Sequence, residues 1–284
     1  MTTQIPHLPD PVHVTVDGTS IATYVLENRG RAPVGDVVFC HGTPWSAQVW
    51  AEVGRAVSGR RRVFLWDMPG YGHSQRDTDV RIDLPAQMSR FAALLTTWGL
   101  ARPHVIAHDI GGAVALGAHL LHGAEYAGLF LWDVVTLHPW GSAFFELVRA
   151  HGDVFAQLPA PLHLALVGEY IAGAAHSHLS DEWSSVLTRT WSGPSGQRSF
   201  YRQIASLHPE DTRPVAERLH TVRCATAVGW GADDPWIPVE QAHRLSELLP
   251  GRGSPVILDD TGHLAPVESP ARVTSAIDEW LDAT

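Results

Sequence analysis

A chain of 284 residues with 45% hydrophobic side chains can bury one sizeable core, and no apolar run in it approaches the roughly 20 residues of a membrane span. Its formal charge of -10, with no basic cluster beyond Arg60-Arg61-Arg62, excludes the electrostatic footprint of a nucleic-acid binder. The opening "MTTQIPHLPDPV" has no basic segment followed by an apolar one, so a cytoplasmic protein is expected, without membrane or nucleic-acid partner.

The first predicted element is a hairpin. In "VHVTVDGTSIATYVLE" apolar and polar residues alternate around Asp17-Gly18, the pair that a type I′ turn prefers. Alternation then stops. Continuous apolar runs follow at 36–42, 61–67, 104–109, 128–135, 225–231 and 254–260, as expected of strands covered on both faces. Arg60-Arg61-Arg62 reads as a solvated loop entering the second of these runs. Cys40 and Cys224 lie in β-like surroundings and read as small buried hydrophobes, with no disulfide expected. Trp66, Trp132 and Trp230 fall within the runs and read as core.

Helical patterns separate the runs, among them 83–100, 239–250 and 269–283. The alternation predicts an α/β fold whose mostly parallel sheet begins with antiparallel strands. Between residue 136 and about residue 220 the rhythm breaks into several amphipathic helices, too long a stretch for an ordinary connection. It reads as a helical cap inserted over the carboxyl edge of the sheet, where open α/β sheets bind ligands. The expected division is a core of residues 1–135 and 221–284 and a cap of residues 136–220.

Ala107-His108-Asp109-Ile110-Gly111-Gly112 places small residues on both sides of a carboxylate, between an apolar run and an Ala-rich helix. A sharp strand-to-helix elbow needs such neighbours, because it strains its central residue and lifts that side chain clear of the sheet. Helix capping is the plainer use of Asp109. "FCHGTPWS" ends another strand in a tight loop that can turn the Thr43 N–H towards the elbow, where it would pair with the N–H of Ile110 as an oxyanion hole. The loop "WDMPGYGHS" informs on fold and not on chemistry. Further on, "VGWGADDPW" holds a carboxylate at a strand end, and "LDDTGHLAP" delivers His263 from another. Nucleophile, acid, histidine is the chain order of the α/β-hydrolase constellation. His108, beside the elbow, points the other way along its strand and reads as structural.

With these motifs the sequence resembles the α/β-hydrolase superfamily, and within it the aspartate-nucleophile branch of epoxide hydrolases, haloalkane dehalogenases and fluoroacetate dehalogenases. The resemblance implies an eight-stranded, mostly parallel sheet flanked by helices, with an inserted helical cap. It implies Asp109 as nucleophile, His263 as general base and Asp234 as the acid that orients it, with Asp233 less favoured and Asp133 a reserve. It also implies Thr43 and Ile110 as the oxyanion hole, with no metal and no cofactor. Serine attacking a saturated carbon would leave an inert ether, whereas a carboxylate forms an ester that water can cleave.

"SFYRQIA" resembles the cap segment in which a tyrosine protonates an epoxide oxygen, which points to Tyr201. For a second cap donor, His138 is preferred over Trp140 and Tyr170. Trp45, Trp236 and Trp140 are the expected pocket aromatics. Ile110 stands where haloalkane dehalogenases carry a tryptophan and fluoroacetate dehalogenases an arginine, so the expected substrates are epoxides of moderately bulky, apolar molecules. Rival readings are a haloalkane or haloacid dehalogenase with the same triad, an ester or lactone hydrolase, a cofactor-free lyase or oxygenase on this fold, and a ligand-binding protein that keeps the pocket without turnover. A homodimer is compatible with the sequence.

Overall fold

A computed structural model describes residues 5–27, 30, 32–251 and 253–284 of the chain. The first four residues of the N-terminal stretch therefore lie outside the described residues. The hairpin forms as its alternation dictates, from β1 (Val12–Val16) and β2 (Thr19–Leu26). Asp17 and Gly18 both take positive φ, 48° and 74°, as a type I′ turn requires. The continuous runs become β3 (Asp36–Cys40), β4 (Arg62–Trp66), β5 (His104–His108), β6 (Gly128–Trp132), β7 (Ala225–Gly231) and β8 (Val256–Leu258). They join in one eight-stranded sheet of order β1-β2-β4-β3-β5-β6-β7-β8, antiparallel at β1–β2 and β2–β4 and parallel from there on.

Every residue of β5 and β6 is buried, because helices cover both faces. Helices α1 (Ala51–Val57), α2 (Leu84–Thr97) and α3 (Ile110–His122) follow β3, β4 and β5. Helix α3 runs through the centre, buried from Ile110 to His119. Trp66, Trp132 and Trp230 are core residues, and both cysteines are free thiols.

Four longer helices lie between β6 and β7 among the described residues: α4 (Ala143–Phe155), α5 (Ala160–Ala172), α6 (Asp181–Arg189) and α7 (Gly193–Ala205). Their attachments place them over the loops at the carboxyl ends of β3 and β4. Trp191 Nε1 donates to Pro44 O at 2.9 Å, and Ser199 Oγ donates to Gly70 O at 2.8 Å. The short α8 (Arg213–Ala216) precedes β7, and α9 (Glu240–Leu248), α10 (Ala265–Glu268) and α11 (Pro270–Ala283) complete the chain. No described helix is long and apolar enough to cross a membrane.

The basic triplet is less solvated than expected. Arg61 is buried and donates to Leu281 O at 2.7 Å, tying the start of β4 to α11, while Arg62 grips Asp36 with two hydrogen bonds.

Candidate active site

Asp109 sits between β5 and α3 with φ 54° and ψ -129°, a backbone conformation that costs an L residue on the order of 1–3 kcal/mol. The elbow survives because its neighbours are small. A Cβ on Gly111 would collide with the carbonyls of Cys40 and His41, and one on Gly42 would collide with Asp109 itself. Helix capping is not the role of this carboxylate, for its side chain makes no cap hydrogen bond to α3. Its Oδ1 instead accepts the backbone N–H of Thr43 at 2.6 Å. The Thr43 loop is itself held in place by His41, whose Nδ1 donates to Gly42 O at 2.8 Å while Nε2 accepts Met68 N–H at 2.9 Å.

The other carboxylate oxygen, Oδ2, lies 3.3 Å from His263 Nε2. That approach gives charge attraction but is out of line for a hydrogen bond, so Nε2 keeps its hydrogen-bonding capacity. On the far side of the ring, Nδ1 meets Asp234 Oδ2 at 2.8 Å. Asp234 is anchored in turn through Oδ1, which accepts Trp236 N–H at 2.8 Å and Ile237 N–H at 2.9 Å. The His263 loop is strapped to the end of α5 by His263 N–H donating to Ala174 O at 2.9 Å. Three strand ends thus bring Asp109, His263 and Asp234 into one buried line. This geometry can deliver a carboxylate nucleophile or base, with a histidine able to shuttle a proton beside it.

The family follows from the chain as a whole. Residues 37–276 match the model of the Alpha/beta hydrolase family. The chain belongs to that family. This alpha/beta hydrolase is 36% identical to an alpha/beta hydrolase fold protein from Burkholderia ambifaria, with a TM-score of 0.90 over 96% of this chain and 98% of that one. It is 26% identical over 223 residues to a 2-hydroxy-6-oxo-2,4-heptadienoate hydrolase of Pseudomonas putida, covering 75% of this chain and 77% of the relative. It is 24% identical over 327 residues to epoxide hydrolase A of Mycobacterium tuberculosis, covering 95% and 97% of the two chains.

The hydrolase has a cavity of about 140 Å³ against Asp109. Thr43, Ile110, Val135, Trp140, Phe145, Tyr170 and Trp236 contribute to its wall, which among the described residues contains no lysine, arginine or histidine. Of the expected pocket aromatics, Trp140 and Trp236 line it. Trp45 does not, and forms a second layer stacked on Trp236 with ring centroids 5.7 Å apart.

Both expected cap donors are elsewhere. Tyr201 donates its hydroxyl to His163 Nδ1 at 2.9 Å inside the cap, packed against Phe155 and Phe200, and is absent from the cavity wall. His138 contacts Thr212 Oγ1 at 3.2 Å and is likewise absent from the wall. The phenol that shares the cavity wall with Asp109 is Tyr170 of α5. Its ring stacks on Trp236 with centroids 4.8 Å apart, its hydroxyl has no hydrogen-bond partner among the described residues, and burial together with the Asp109 charge raises its pKa well above the ordinary value. Tyr71, from the loop read as informative on fold alone, also reaches the site, donating to Gln203 Oε1 at 2.8 Å.

Asp133, the reserve acid, makes no hydrogen bond to His263. Its Oδ1 accepts Gly231 N–H at 2.7 Å, and its Oδ2 is buried without a partner. Burial and the neighbouring Asp234 push its pKa well above the ordinary carboxylate value. His108 holds the His263 backbone, with Nε2 donating to His263 O at 2.7 Å. Burial and the facing His263 bring its pKa down to about 4, which keeps it neutral, while its Nδ1 is unpaired.

For His263 itself, burial disfavours the charge. The carboxylates of Asp234 and Asp109 outweigh that and hold its pKa well above the usual 6.5. A histidine whose folded pKa is raised contributes stability that is complete below its unfolded pKa and is lost as pH rises through the folded one. The unfolding free energy of the wild type, taken relative to His263→Gln, is therefore expected to decline as pH rises above about 6.5. Chemical denaturation of both proteins across neutral and alkaline pH checks this, and a difference that does not change with pH would contradict it.

Proposed function

We propose that this hydrolase opens small, uncharged epoxides through a covalent ester on Asp109. The observation that carries the reading is the division of labour within one carboxylate. Oδ1 rests on the Thr43 N–H while Oδ2 stands free of hydrogen bonds beside His263 and the cavity. One oxygen is fixed where an oxyanion would form, and the other is presented for attack.

In the first step Oδ2 forms a bond to a ring carbon, the carbon–oxygen bond of the epoxide breaks, and the ring oxygen takes the proton of Tyr170. Esterification removes the negative charge that helped hold the proton on His263. The imidazolium then becomes acidic enough to return a proton, through solvent, to the Tyr170 phenolate. Neutral His263 next takes a proton from water as the water oxygen adds to Cγ of Asp109. The resulting oxyanion on Oδ1 is met by the N–H groups of Thr43 and Ile110. Breaking the Cγ–Oδ2 bond releases the diol, whose new hydroxyl receives the His263 proton. The acid proton left on Asp109 returns to His263. One epoxide and one water have become one diol. Asp234 fixes the Nδ1–H tautomer throughout and stabilises the imidazolium.

The cavity wall argues for uncharged substrates. The dienoate named for the Pseudomonas putida relative carries a carboxylate, and this wall offers it no cation. The absence of an indole at Ile110 disfavours halide as leaving group, whereas a free phenol at Tyr170 suits an alkoxide. Tyr170→Phe is expected to slow epoxide opening by about 10²-fold, with Tyr201→Phe changing it little. Assays of both variants on a panel of epoxides and haloalkanes, following diol and halide separately, test the function. Diol formation that depends on Tyr170 supports it. Halide release without diol would establish the dehalogenase reading instead.

A further inference from the structure

We propose that Gln203 of α7 is a positioning residue for the oxyanion loop, and that through it the cap governs hydrolysis of the Asp109 ester rather than its formation. This rests on the ester mechanism above. Gln203 is fully buried, and its Oε1 accepts two hydroxyls at once, Thr43 Oγ1 at 2.6 Å and Tyr71 Oη at 2.8 Å. Thr43 is the residue whose backbone N–H holds Asp109 Oδ1. A single cap carbonyl thus sets the rotamer of Thr43 and ties its loop to the loop after β4. The Nε2 of the same amide is buried without a partner. An unpaired buried amide nitrogen is costly, and the two short bonds on Oε1 are what the position gains in return.

The helix explains why Gln203 reaches the core while Tyr201 does not. Two residues along an α-helix is a turn of about 200°, so a side chain pointing into the cap places the one two residues later on the opposite face.

The direction of the effect follows from the charge on Oδ1. As a carboxylate oxygen it carries about half a charge, as an ester carbonyl almost none, and in the tetrahedral intermediate a full one. The Thr43 N–H therefore weakens its hold during alkylation and strengthens it during hydrolysis. Loosening the Thr43 loop should slow the second step, on the order of tenfold, and leave the first unchanged or slightly faster.

The test is pre-steady-state quench with intact-protein mass analysis of an epoxide substrate on wild type, Gln203→Met and Thr43→Val. The first variant deletes the acceptor, and the second deletes one donor while keeping the backbone N–H. Accumulation of the Asp109 ester in both variants, with its formation rate retained, is the expected result, and Gln203→Glu, which keeps the acceptor, should restore hydrolysis in large part. If Gln203→Met fails to fold, Thr43→Val alone decides. Equal slowing of both steps, or an unchanged ratio of the two, overturns the role of Gln203 while leaving the ester mechanism standing. No ester in any of the proteins, with His263→Gln included as the trapping control, overturns both.

Discussion

Asp109→Asn is expected to lower turnover by about 10⁴-fold or more while leaving the fold intact. The amide is isosteric, its oxygen can still accept the Thr43 N–H, and the strained elbow needs the small neighbours on either side rather than the charge. What disappears is the only carboxylate among the described residues of the cavity wall. An amide is too weak a nucleophile to open an epoxide, and no described residue of the wall can replace it. Removing one negative charge from beside His263 should also let its pKa fall towards the ordinary value, since Asp109 is one of the groups that raise it. Steady-state kinetics with a matched unfolding curve checks the outcome. Activity surviving within about tenfold of wild type would place the chemistry elsewhere.

The second large effect is of a different kind. His263→Gln should abolish steady-state turnover, by about 10³-fold or more, yet permit one round of alkylation. In the proposed sequence the histidine is needed to take the proton of water, whereas Asp109 Oδ2 can attack the first carbon unaided. The variant is expected to gain the mass of one substrate molecule, located by digestion to the peptide that carries Asp109. Glutamine can still meet Asp234 by hydrogen bonding, so the acid is not left as an unpaired buried charge, a loss that would otherwise cost several kcal/mol. If alkylation were lost together with turnover, His263 would be needed for the first step as well.

Much of the scaffold could be read from the chain because it rests on local pattern. Alternation around Asp17-Gly18 marks the hairpin, and uninterrupted apolar runs mark the strands of the doubly covered sheet. The meeting of Asp109, Asp234 and His263 was legible for a related reason. Each follows a strand, and parallel strands of one sheet deliver their carboxyl ends to one edge. Resemblance pointed to Tyr201, but which face of α7 turns inward is decided by how α4, α5 and α7 pack, a non-local property. The cap therefore buries Tyr201 on His163 and presents Gln203 to the core. Tyr170 carried no motif of its own, and its place in the cavity wall with Asp109 depends on the stack with Trp236, about 65 residues further along the chain. Asp133 looked like a spare acid. Only its burial beside Asp234 shows why its pKa is raised.

The central claim is that Asp109 bonds directly to a saturated carbon and is later freed by attack of water at its own Cγ. A single turnover in heavy-oxygen water, with enzyme in excess over epoxide, tests it most directly. The account predicts that the heavy isotope appears in the Asp109 side chain and that the diol of that first turnover carries none, its new oxygen having come from Oδ2. Heavy oxygen in the diol, with an unlabelled Asp109, would mean that water attacks the substrate itself and that Asp109 serves only as a base.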